Sequence, residues 1–102
     1  MTTHSLVQAD DCSTLLKLLA DETRLNVVQQ LMAGPKHVNE LNENLGIEQS
    51  LLSHHLKVLR DGGIVEARRD GKAMLYRLAP KVESRRDGQA IDLGCCRLSF
   101  DQ

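Results

Sequence analysis

The most reactive side chains in this chain of 102 residues are three cysteines: Cys12 near the start, and the adjacent pair Cys95 and Cys96 in DLGCCRL. Thiolates are soft donors suited to thiophilic ions, and three together fit trivalent arsenic or antimony, which take three sulfurs in a pyramid. The same atoms serve two other chemistries. A disulfide or polysulfide would join Cys12 to Cys95 or Cys96, because neighbouring cysteines bridge each other only with strain. A cadmium, lead or zinc site would need a fourth ligand, from His4 or a carboxylate. Cys12 has a plainer reading as a buried structural cysteine, since it shares a helical stripe with Leu15, Leu16 and Leu19. His4 has one as a solvated residue of a loose N-terminus.

The other groups able to do chemistry lie between Gln49 and Lys72. On a helix from Gln49 to Asp61, Leu52, Leu56 and Leu59 share one side and leave Gln49, Ser50, Ser53, His54 and Lys57 on the other. Such hydrogen-bonding groups read base edges or hold phosphates, although any amphipathic helix also has a polar outer face. Three cations, Arg68, Arg69 and Lys72, surround Asp70-Gly71, a favoured hairpin-turn dipeptide. No enzymatic reading survives, because the two histidines of SHHL, His54 and His55, have no nucleophile or metal companion at a usable spacing.

Positioning these groups takes a particular set of elements. Apolar residues at helical spacing predict a first helix from Asp11 to Leu19. A second is capped by Asp21, has Glu22 in its first turn and buries Leu25, Val28, Leu31 and Met32 before Gly34-Pro35. A third, Val38 to Leu45, opens at His37, read as structural, and stops at Gly46. Ile47 and Glu48 then form a very tight connection to the fourth helix, which Gly62-Gly63 closes. Two helices so joined match the helix-turn-helix, whose second helix enters the major groove. The hairpin from Ile64 to Leu78 follows as a wing whose cationic tip would lie along the sugar-phosphate backbone.

Bulk properties agree. One Tyr, one Phe and no Trp leave the core to aliphatic residues, which favours packed helices. The net charge of −1 conceals segregation: residues 50–86 carry nine basic against four acidic groups, between flanks that are net acidic. A polyanion would prefer that block. No stretch approaches the roughly 20 apolar residues of a membrane span, and the N-terminus lacks the layout of a secretion signal. The expectation is a cytoplasmic protein away from membranes, where thiols are kept reduced and a disulfide framework is not expected.

The stretch from Leu15 to Leu78 strongly resembles the ArsR/SmtB family of metal-sensing winged-helix repressors. The resemblance is carried by LADETR at 19–24, SHHLKVLRDGGIV at 53–65 and RRDGKAMLYRL at 68–78. It implies a homodimer on double-stranded DNA, at a palindromic operator that is vacated when an inducer binds. It places Gln49, Ser50, Ser53 and His54 at the groove and Arg68, Arg69 and Lys72 on the wing, with His55 either there or packed. The family's cysteine motif on the third helix is here HVNELNENL, residues 37–45, which excludes a thiolate site there, and no histidine follows His55 to build a zinc site on a final helix. Because several arsenite repressors of this family use adjacent cysteines, the resemblance points to arsenite or antimonite on Cys95 and Cys96, with Cys12 as third ligand. The dimer would then rest on the first helix and the tail.

The sequence reading is thus a mainly α, α+β winged helix-turn-helix at 11–80, with four helices and a β-hairpin wing. It follows a loose segment at 1–10 and precedes an irregular or weakly structured tail at 81–102 that carries the vicinal cysteines. The function expected is a repressor that releases DNA when a thiophilic inducer binds its cysteines. Redox, reactive-sulfur, cadmium, lead or zinc sensing, and a winged-helix module binding an acidic protein, stand as alternatives.

Overall fold

The apolar spacing of the first half of the chain resolves into four helices in a computed structural model that describes residues 12–100. The expected loose segment 1–10, with His4, lies outside the described residues. Helix α1 (Cys12–Leu19) buries Leu15 and Leu19, and α2 (Glu22–Met32) buries Val27, Val28, Leu31 and Met32. Val27 takes the fully buried place expected for Leu25, which is half-buried at the edge of the same core. Asp21 caps α2, its carboxylate accepting from the Arg24 backbone N–H at 3.0 Å. That bond is the main reason its carboxyl is held below the usual carboxylate range.

Helix α3 (Val38–Leu45) ends at Gly46, whose φ of 65° is the left-handed conformation glycine adopts without cost. Asn42 donates from Nδ2 to the Ile47 carbonyl at 2.6 Å and so locks the short turn into α4 (Gln49–Asp61). At the far end of α4, Gly63 N–H reaches the Arg60 carbonyl and Ile64 N–H the Leu59 carbonyl, both at 3.0 Å, while Gly63 has a φ of 81°. This is a Schellman stop, and it aims the chain straight into the wing.

The wing is a three-stranded antiparallel sheet of order β1-β3-β2, built from β1 (Lys36–His37), β2 (Val65–Asp70) and β3 (Ala73–Leu78). Asp70 pairs with Ala73, so the two-residue loop is Gly71-Lys72, one position later than the Asp70-Gly71 turn the sequence suggested. Gly71 supplies the positive φ of 67° that such a loop requires.

The expected irregular tail is corrected. Residues beyond Leu78 form α5 (Pro80–Glu83) and a second antiparallel sheet of order β4-β5-β6, from β4 (Arg86–Asp87), β5 (Ala90–Asp92) and β6 (Arg97–Ser99). Val82, Ile91 and Leu93 are buried in the same cluster as Leu56 and Leu59, so the tail is part of the one core. Each strand is too short to show a period. The turn, however, repeats the wing's own chemistry: Asp87-Gly88-Gln89-Ala90 matches Asp70-Gly71-Lys72-Ala73, with the same pairing of its first and last residues. Among the described residues no helix is long and apolar enough to cross a membrane.

Candidate nucleic-acid interface and cysteine pair

Helix α4 is held by Leu52, Leu56 and Leu59, each at most 1% exposed, and this fixes which side faces outward. Gln49, Ser50, Ser53 and His54 are all exposed there, with no side-chain hydrogen bond among the described residues. Lys57 also faces out, but its ammonium donates to Asp61 at 2.7 Å. This hydrogen bond is the chief cause of Asp61's carboxyl lying below its ordinary range.

His55 turns the other way. It is only 7% exposed, and its Nδ1 accepts a hydrogen bond from Arg24 Nε at 3.1 Å. The same guanidinium donates to the Leu18 carbonyl at 2.9 Å, and the Asp21 carboxylate stands 3.9 Å from His55 Nδ1. One cation thus joins the end of α1, the start of α2 and the back of α4. The role of Arg24 was not read from the sequence. Its signal was its place in LADETR, a segment whose conspicuous residue, Asp21, already had a local explanation as a cap.

On the wing, Arg68 and Arg69 pair opposite Leu75 and Met74 and therefore project from opposite faces of the ribbon, while Lys72 occupies the loop. All three are exposed and uncommitted to ion pairs among the described residues. The tip is tied to α3 by His37, whose Nε2 lies 2.8 Å from Asp70 Oδ2 and whose Nδ1 lies 3.4 Å from Glu40. The hydrogen bond to Asp70 is the main influence raising the His37 pKa above its ordinary value of 6.5. Glu40 also accepts from the His37 backbone N–H at 2.8 Å, so His37 is the structural opening of α3 that its position implied.

The cysteines divide two and one. Cys12 and Cys95 are joined in a disulfide with their Cα atoms 6.3 Å apart, and Cys96 is exposed and free. Cys95 sits in the turn between β5 and β6, which is closed by the Leu93 N–H donating to the Cys96 carbonyl at 2.8 Å. Two sulfurs bonded to each other have no thiolate to offer, so in this state the three do not make a donor set for arsenite or antimonite. Among the described residues no group of three or more His, Cys, Asp or Glu is arranged to hold a metal ion.

A groove-sized polar helix, a tight turn before it and a cationic wing after it form one continuous unit, and residues 21–67 match the family model of the bacterial regulatory proteins of the arsR family. The biofilm growth-associated repressor of Xylella fastidiosa is 45% identical over 71 residues, covering 70% of this chain and 62% of that protein. The reduced form of HlyU from Vibrio cholerae superposes with a TM-score of 0.68 at 34% identity, covering 74% of this chain and 81% of the other. The chain belongs to the arsR family. A homodimeric winged helix-turn-helix DNA-binding domain from Mycobacterium bovis is similar as well, with a TM-score of 0.67 at 33% identity over 74% of this chain and 70% of that one. The winged helix-turn-helix expected from the sequence is thus the fold of this arsR-family chain, which spans a little under two-thirds of the length of the Xylella repressor.

Proposed function

We propose that this arsR-family chain is a homodimeric transcriptional repressor that reads double-stranded DNA with α4 and grips it with the wing. The observation that carries this reading is the combination of exposed polar groups on α4 with the exposed cations Arg68, Arg69 and Lys72 on the hairpin that follows it, neither set committed to a hydrogen bond or ion pair of its side chains among the described residues. Gln49, Ser50, Ser53 and His54 would meet base edges, the wing would meet phosphates, and two-fold symmetry would match a palindromic operator with half-sites about one helical turn apart.

The signal it answers is best read as thiol oxidation. A protein that acts on DNA in the cytoplasm works where disulfides are usually transient and regulatory. Two thiols, Cys12 and Cys95, become one disulfide by giving two electrons and two protons to a peroxide or reactive-sulfur oxidant. The bond ties the start of α1 to the β5–β6 turn, while the end of α1 reaches α4 through Arg24 and His55. Oxidation would thereby favour the arrangement that leaves DNA. The arsenite or antimonite reading needs the same bond reduced first, and it places Cys12, Cys95 and Cys96 as thiolates on the metalloid.

Fluorescence anisotropy on the protein's own promoter tests both levels. Reduced dimer should bind with steep salt dependence, oxidised dimer should bind at least tenfold more weakly, and Cys95→Ser should hold DNA under both conditions. Failure to prefer the promoter over random DNA would overturn the repressor reading in favour of a protein-binding module. Release by arsenite from reduced wild type, lost in Cys95→Ser with Cys96→Ser, together with indifference to oxidants, would replace redox sensing by metalloid sensing.

A further inference from the structure

Leu51 is 44% exposed, and it lies in the first turn of α4. Leu25, Leu45 and Ile47, by contrast, are partly buried against the core. A single exposed leucine is ordinary on a protein surface; its position is what matters. At about 100° per residue it lies about 60° around the helix from His54 and about 100° from Ser50, so its side chain flanks the polar groups proposed to meet the bases.

The first residues of a recognition helix are the ones that approach base edges. An alkyl group at that place has no hydrogen bond to offer. The major groove presents one apolar feature it can distinguish, the C5-methyl of thymine. We propose that Leu51 is a specificity-determining residue that packs on a thymine methyl in each operator half-site. The proposal rests on the DNA-reading role argued above, and commits to a base rather than a second protein surface because Leu51 borders the exposed His54 and Ser50 on that flank of α4.

The test begins by selecting preferred duplexes from a random library with the reduced wild-type protein. Each thymine of the selected half-site is then replaced by deoxyuridine, which deletes only the methyl, and affinities are compared at fixed salt. One symmetry-related thymine should lose about fourfold per methyl removed. Leu51→Ala should bind the methylated duplex more weakly than wild type and be indifferent to that replacement. Because the side chain is exposed, its thermal unfolding should match wild type. A selected half-site without thymine, a wild type unaffected by deoxyuridine at every position, or Leu51→Ala retaining the wild-type penalty would overturn the inference while leaving DNA recognition intact. Selection of no sequence above random would instead overturn the DNA-reading role and the inference with it.

Discussion

Arg24 and His55 are joined by a 3.1 Å hydrogen bond from Nε to Nδ1, which fastens the first turn of α2 to the centre of α4. Because a guanidinium can only donate, Nδ1 must be the unprotonated nitrogen of the imidazole while this bond stands. One of the contacts that hold α4 in place thus comes from α2 and meets the buried side of the helix, opposite its exposed polar residues.

Arg24→Met keeps most of the side-chain volume and deletes both donors, leaving His55 Nδ1 and the Leu18 carbonyl without their partner. Urea unfolding should show a loss of about 2 kcal/mol, the range for hydrogen bonds to a charged group. Arg24→Lys should not restore it, since one ammonium lacks the fork that reaches both acceptors. Unchanged midpoints in both variants would remove the network from the account.

The clamp between His37 and Asp70 should loosen as pH rises. The pKa of His37 is raised in the fold, so the contribution of its ion pair is complete below the unfolded value near 6.5 and disappears as pH climbs through the higher folded value. An NMR titration of the imidazole should give a midpoint above 6.5, falling back in Asp70→Asn. Amide exchange at Asp70 and Gly71 should accelerate over the same interval in wild type, and be flat with pH, after correction for intrinsic rates, in His37→Gln.

The disulfide spans 83 positions of the sequence and so closes most of the chain into one loop. Reduction should lower the unfolding free energy by about 2–4 kcal/mol, the typical yield of a disulfide, and toward the upper end for so long a loop. Cys12→Ser or Cys95→Ser should make stability independent of reductant, whereas Cys96→Ser should leave the full difference. Equal stability of oxidised and reduced wild type would contradict this.

The cations on the wing and on α4 should behave differently. Arg68→Ala, Arg69→Ala and Lys72→Ala should each weaken binding on all sequences alike and flatten the salt slope by about one unit. Lys57→Ala should cost much less, because its ammonium is already paired with Asp61. Asp61→Asn should free Lys57 and tighten non-specific binding, read as a steeper salt dependence.

Helices α1 to α4 were legible because each carries its own local instructions: leucines at helical spacing, Asp21 as a cap, and Gly46 and Gly63 as left-handed stops. The outward set Gln49, Ser50, Ser53, His54 and Lys57 followed from the period of Leu52, Leu56 and Leu59 alone, and the wing's cations followed from their place around a turn dipeptide. These features are set within a few residues of one another, so sequence by itself determined them. Other features depended on partners far along the chain. Whether Arg24 meets solvent or His55, 31 positions away, depends on how α2 packs against α4. The Lys57–Asp61 pair is the local exception, one helical turn apart, and there the rotamer the two share decides whether Lys57 is free for a phosphate. The tail's strands are too short to announce themselves, and order arises when Ile91 and Leu93 find a core made by other elements. The sequence left Cys12 open between a buried thiol, a ligand and a bridge. Tertiary structure decided by bringing α1 and the β5–β6 turn together, because a bond between Cys12 and Cys95 requires a proximity that no local pattern encodes.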